Sequence, residues 1–148
     1  MARKVFFSFH YRRDLWRANV VRNSASVEGI SAAGFRDRSL WEQTVGEGEG
    51  AVKNLIDAAL DGTTVTIVLI GAETANRRYL SYEIEKSIAR GNGVFGIRIN
   101  KIKDQYGNID MPGPVPTDLV SIGAPVYEWE YGKLGEWVDE AARKAKSL

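Results

Sequence analysis

The run "TVTIVLI" at residues 64–70 decides the fold. It is short, rich in β-branched and aliphatic residues, free of charge, and stopped by Gly71. A strand with one wet face alternates apolar and polar side chains, whereas an unbroken apolar run of this length, bounded by punctuation, is a strand covered on both faces. Such strands belong to parallel sheets, whose crossover connections lay helices on either side. Two further runs read the same way, "KVFFSF" (4–9) and "GVFGIRI" (93–99), and "AAGFRD" (32–37) is a weaker candidate for a short second strand.

The segments between them have helical periodicity. Val52, Leu55, Ile56, Ala59 and Leu60 recur on one face, with Gly62 as a stop, and Leu80, Ile84 and Ile88 form a second stripe ended by Gly91. An early helix is expected over about 14–22, capped by Asp14, and a last one over about 132–146, with Leu134, Trp137, Val138 and Ala141 on its apolar face. The expectation is one domain over residues 1–148. It is a flavodoxin-like three-layer sandwich around a central, mainly parallel sheet of about five strands. Residues 100–125, which hold all four prolines, form an irregular surface insertion.

Composition narrows the function. A chain of 148 residues, 44% hydrophobic, buries one good core. Twenty Lys plus Arg against nineteen Asp plus Glu leave a net charge of +1, so no global field attracts nucleic acid or an anionic membrane. The absence of cysteine excludes thiolate metal sites and a cysteine nucleophile, and the single His10 cannot build a multi-histidine centre, so no metal is expected. No stretch approaches the roughly 20 apolar residues of a membrane span, and the expected location is the cytoplasm.

In an open α/β sheet, ligands collect beyond the carboxyl ends of the strands where the winding reverses. That directs attention to Ser8–Tyr11, Asp37–Trp41 and Gly71–Ala75, and to Glu83, near the start of the helix that follows. The plain reading of Glu83 is a solvated helix carboxylate paired with Lys86 or Arg90. The functional reading has it facing the crevice while Leu80, Ile84 and Ile88 face the sheet. Glu85, two residues on, points elsewhere.

The segments "KVFFSFHY", "SLWE", "TVTIVLIG", "NRRYLSYEIEKSI", "GIRIN" and "KDQYGN" occur in an order that resembles the TIR-like ThsB proteins of bacterial Thoeris anti-phage systems over nearly the whole chain. The resemblance implies a TIR-like fold and cleavage of NAD at its nicotinamide glycosidic bond. NAD is then a substrate, with no separate cofactor. The ADP-ribose part becomes a signalling nucleotide, by resemblance a cyclic one, that diffuses to a partner effector. Carried over by motif, the catalytic glutamate is Glu83, and Phe7, Ser8, Phe9, His10 and Tyr11 match the segment that lines the nucleotide pocket. Beyond about Asn108 the match is less distinct. Self-association into a homo-oligomer is common among TIR-like domains.

The chemistry asks for few groups. Nicotinamide departs neutral from a pyridinium, so one carboxylate that binds the ribose diol and balances an oxocarbenium-like charge suffices. Ser8 and His10 flank Phe9, and alternation puts them on one side of a strand. There His10 would meet a phosphate or the nicotinamide, unless it is simply a polar residue satisfied at a strand end. Arg36, Asp37, Arg38 and Trp41 lie where the second strand should end, and there the Trp41 ring would stack a base beside basic groups that hold a pyrophosphate, with a core or lid role for Trp41 as the alternative. Arg77 and Arg78 would bind a phosphate or a partner, or form a solvated patch. The run "GEGEGA" (46–51) fits a dinucleotide motif only superficially, because no convincing strand precedes it and Glu47 and Glu49 would repel a pyrophosphate. Two other readings stand beside the enzyme. One is a catalytically silent TIR-like module that acts by self-association. The other, a receiver-like phosphoacceptor, is disfavoured because "FSFHY" and "LIGAE" lack the acidic residues it needs.

Overall fold

The computed structural model of the chain describes residues 3–35 and 48–147. Its elements run β1 (Lys4–Ser8), α1 (Tyr11–Val27), β2 (Ser31–Ala33), α2 (Glu49–Leu60), β3 (Val65–Ile70), α3 (Leu80–Ala89), β4 (Gly93–Arg98), α4 (Thr117–Ser121), β5 (Val126–Glu128) and α5 (Leu134–Lys146). A 3-10 turn at Thr74–Asn76 sits between β3 and α3. The five strands form one sheet in the order β2-β1-β3-β4-β5, and every pairing is parallel. The α/β sandwich expected from the sequence is the fold observed, with the winding reversing between β1 and β3.

Every residue of β3 is buried, because both faces of the sheet are covered. On one face Val5, Phe7 and Phe9 join Ile67, Leu69, Phe95 and Ile97 beneath α1 and α5. Trp137 of α5 stacks on Tyr127 of β5 at 4.5 Å and an interplanar angle of 7°. On the other face Phe6 packs against Val52, Ile56 and Leu60 of α2, and Val68 and Ile70 pack against Leu80, Ile84 and Leu119. The parity of β1 therefore aims Ser8, two residues after Phe6, at the α2/α3 face.

Three expectations need correction. The first helix begins at Tyr11, not near residue 14, because the His10 ring accepts the Arg13 amide proton at 3.2 Å and supplies the N-cap itself. Asp14 lies inside the first turn and is buried. Ile88 does not complete the α3 stripe: it is 45% exposed, and Ser87 takes the buried position. Residues 100–125 are less irregular than expected, since they include α4, and β5 follows directly. Neither α4 nor β5 has a recognisable period at its length, three residues in the case of β5. Of "GEGEGA", the described part is the start of α2, with Gly48 at φ +102° before it.

Candidate active site

A directional chain of buried hydrogen bonds registers α3 on β3. Ser87 donates to the Glu83 carbonyl one turn back at 2.6 Å, so its single proton is committed. The Thr66 hydroxyl, 2.6 Å away, is then the donor to Ser87. Thr66 in turn accepts from the Asn92 amide at 3.2 Å, and the same amide donates to Thr63 at 2.9 Å. With α3 held this way, its buried residues are Leu80, Glu83, Ile84 and Ser87, an i, i+3, i+4, i+7 stripe that includes the carboxylate.

Glu83 is therefore not beside the apolar stripe but part of it, with 0% exposure. Its Oε1 accepts from the Ser8 hydroxyl at 2.5 Å, at the carboxyl end of β1. Arg77 forks the carboxylate, with Nη1 to Oε1 at 3.0 Å and Nη2 to Oε2 at 2.9 Å. The same Nη1 lies 2.7 Å from Ser8 Oγ. The solvated reading, with Glu83 paired to Lys86 or Arg90, is excluded, because Glu83 points inward and pairs with Arg77. Glu85 is exposed.

Arg77 is brought there by the loop after β3. Thr74 accepts the Gly71 amide at 2.8 Å and donates to the Leu69 carbonyl at 3.1 Å, which closes the chain over the strand end. Arg77 leaves the 3-10 turn in an extended conformation (φ −68°, ψ 135°), so its side chain reaches back over β1. Arg78 goes the other way, to the exposed Glu49 at 2.7 Å. The two arginines are thus split: one completes the site and one decorates the surface.

A second carboxylate lies at the same edge of the sheet. Asp14 is 1% exposed, and neither of its oxygens has a hydrogen-bond partner among the described residues. It presses on Gly71, where a Cβ would come within 2.2 Å of Oδ2. Burial raises its pKa from 3.8 to about 6, against the pull of the Arg17 guanidinium 4.0 Å away. Arg17 and its neighbour Arg13 carry the insertion: Arg17 donates to the Ile102 and Asn108 carbonyls at 2.6 and 2.9 Å, and Arg13 forks Asp110 at 3.0 Å. Nothing in the sequence distinguishes these residues from an ordinary charged helix surface. The burial of Arg17 comes from the insertion folding back over α1, while Arg13 stays exposed.

The other candidates of the nucleotide segment divide. Phe7 and Phe9 are core residues, both at 0% exposure, with Phe35 at 5.5 and 4.9 Å between ring centres. Tyr11 is partly buried against that cluster. Ser8 meets Glu83. His10 does not share a strand face with Ser8, because β1 ends at Ser8, and its ring serves α1. His10→Ala should accordingly lower stability by about 1 kcal/mol through loss of the cap, as read by denaturant titration. Its effect on turnover should be smaller than that of Glu83→Gln. Asp37 and Trp41, with Arg36 and Arg38, lie outside the described residues.

Ser8 and Glu83 lie at the switch point of a parallel sheet, where β1 and β3 lead in opposite winding directions. Residues 6–104 match the family model of the Thoeris protein ThsB, TIR-like domain. The chain belongs to the ThsB TIR-like family. The matched span runs from β1 through β4 and includes Ser8, Arg77 and Glu83. Over 157 aligned residues the chain is also 46% identical to ThsB1 of Bacillus cereus (strain MSX-D12), a protein provisionally named a cyclic ADP-D-ribose synthase. That alignment covers 100% of this chain and 82% of the relative, so it extends beyond the family model to α5. No helix among the described residues is long and apolar enough to cross a membrane. A hollow of about 640 Å³, walled by Phe95, Tyr127 and Trp137, opens at the amino-terminal ends of β4 and β5 and is lined by none of Ser8, Arg77 and Glu83.

Proposed function

We propose that this chain is an anti-phage defence enzyme that cleaves NAD at the bond between nicotinamide and ribose and releases an ADP-ribose-derived nucleotide, cyclic by its relationship to ThsB1, that activates a separate effector. The observation that carries this reading is Glu83. It is a carboxylate fixed at the switch point of a sheet, within the family's matched span, held by Ser8 and Arg77 on a helix registered by buried hydrogen bonds.

The chemistry suits a single acidic group. The C1–N bond breaks with its electron pair going to the pyridine nitrogen, so nicotinamide leaves neutral and positive charge develops on the ribose. Glu83 accepts hydrogen bonds from the ribose hydroxyls and balances that charge without covalent bonding. A nucleophile then closes on C1. A group of the same molecule gives the cyclic product, and water gives linear ADP-ribose; a hydroxyl nucleophile passes its proton to solvent. Ser8, 2.5 Å from Glu83, orients the carboxylate.

A second reading rests on the same network: a buried carboxylate already engaged by an arginine and a serine is also what a silent interaction module would retain. Two assays separate them. Purified chain incubated with NAD should release free nicotinamide, and a protein-free filtrate from phage-infected cells expressing this chain alone should switch on a separately purified effector. Activation that requires the intact chain in contact with the effector would replace the synthase with the module.

A further inference from the structure

Glu83 cannot bind a ribose diol while Arg77 holds it. Both carboxylate oxygens accept from the guanidinium, at 3.0 and 2.9 Å, and Oε1 also accepts from Ser8. Something must move. Ser8 belongs to a strand paired on both sides, and Glu83 to a helix tied to β3 through Ser87 and Thr66. Arg77 belongs to neither: it is on the extended segment between the 3-10 turn and α3, at the outer end of the network, with its side chain 11% exposed against 0% for Glu83. It is the member that can leave by side-chain rotation alone.

Removing a guanidinium from a largely buried carboxylate is costly unless another anion receives it, because the ion pair is charge-assisted and forked. A phosphate offers the same forked geometry as a carboxylate, and a guanidinium suits both. We propose that Arg77 is a substrate-operated latch. In the free chain it closes Glu83, and on binding it passes from Glu83 to the pyrophosphate of the dinucleotide, opening the carboxylate to the ribose. The proposal rests on the reading of NAD as substrate and adds to it a source of selectivity. A nicotinamide nucleoside without phosphate has nothing to receive Arg77 and leaves the latch closed. The latch also gives the closed network a role in the enzyme, where a silent module would have it as permanent structure.

The test compares NAD with nicotinamide riboside, which carries the same scissile bond and no phosphate. Initial rates of nicotinamide release are measured for the wild type, Arg77→Gln and Arg77→Lys. Arg77→Gln should lower kcat/KM for NAD by about tenfold or more, chiefly through KM, as expected for loss of a charged contact to the substrate. The riboside should be cleaved as well as before or better, so that the preference for NAD collapses by the same factor. Arg77→Lys, which keeps the charge but not the fork, should lower the preference only about threefold. An equal fall for both substrates would mean that Arg77 merely holds Glu83 in place, and it would overturn the latch, as would no change for either. If Arg77→Gln does not fold, an unchanged preference in Arg77→Lys overturns it. If the wild type releases nicotinamide from neither compound, the proposed activity itself fails and the latch is read by calorimetric titration. A tenfold weaker binding of NAD, but not of the riboside, to Arg77→Gln would retain Arg77 as an anion receptor, and equal affinities or no binding would remove it.

Discussion

Glu83→Gln will leave a folded protein that no longer releases nicotinamide from NAD, with turnover lower by at least about a hundredfold, the scale of a lost transition-state contact in a water-excluded site. The amide has the shape of the carboxylate and can still accept from Ser8, so the helix stripe and the hydrogen bonds below it persist. What disappears is the negative charge opposite the developing oxocarbenium. Circular dichroism and a thermal melt establish the fold, and nicotinamide release establishes the rate. A folded Glu83→Gln protein with near-wild-type turnover would sink the assignment. Glu85→Gln is the matched control, since Glu85 is exposed on another face of the same helix, and it should be almost silent.

Asp14→Asn is expected to stabilise the chain, by an amount that grows as pH rises above 3.8 and levels off above about pH 6. The Asp14 carboxyl is buried and titrates near 6 in the fold against an ordinary value of 3.8. The folded chain therefore holds a proton that the unfolded chain releases. The stability contributed by the neutral acid is complete below pH 3.8, falls as pH rises, and is lost above about pH 6. At pH 7.5 that difference amounts to about 3 kcal/mol, taken from the shift at 1.36 kcal/mol per pH unit. An uncharged side chain of the same shape avoids it. In a chain of this size the gain reads as a rise in Tm of about 5–10 °C at pH 7.5, with little difference from wild type at pH 4. A variant that is less stable at pH 7.5, with an unaltered pH profile, would mean that Asp14 is ionised and paired with Arg17.

Most of the architecture was legible because its causes are local. "TVTIVLI" and "KVFFSF" are apolar on both faces, and α2 and α5 carry stripes with the helical period, so the alternation that dictates a parallel sheet can be read in one dimension. The boundaries of β1, β3 and α5 are observed within about two residues of the expected ones. The elements that escaped are those without a period: β5 is three residues long and α4 is five. The start of α1 was missed for a different reason. A histidine ring acting as N-cap competes poorly, as a sequence signal, with an aspartate at a favoured capping position.

The site divides along the same line. Strand ends, the winding reversal and the family's motifs single out Glu83 and the segment from Phe7 to Tyr11 as candidates from the sequence by itself. Only the tertiary structure decided what Glu83 touches. Ser8 and Glu83 are separated by 75 positions in the chain and meet at 2.5 Å, and Arg77 and Arg78, indistinguishable as neighbours in sequence, part company to a buried carboxylate and to a surface one. Asp14 likewise reads as a helix cap until Gly71, at the end of β3, is brought against it and its water is stripped away. Hydrophobic periodicity is a property of a segment and survives in the sequence. Hydrogen-bond partners and desolvation are properties of a place, and they exist only once distant segments have been brought together.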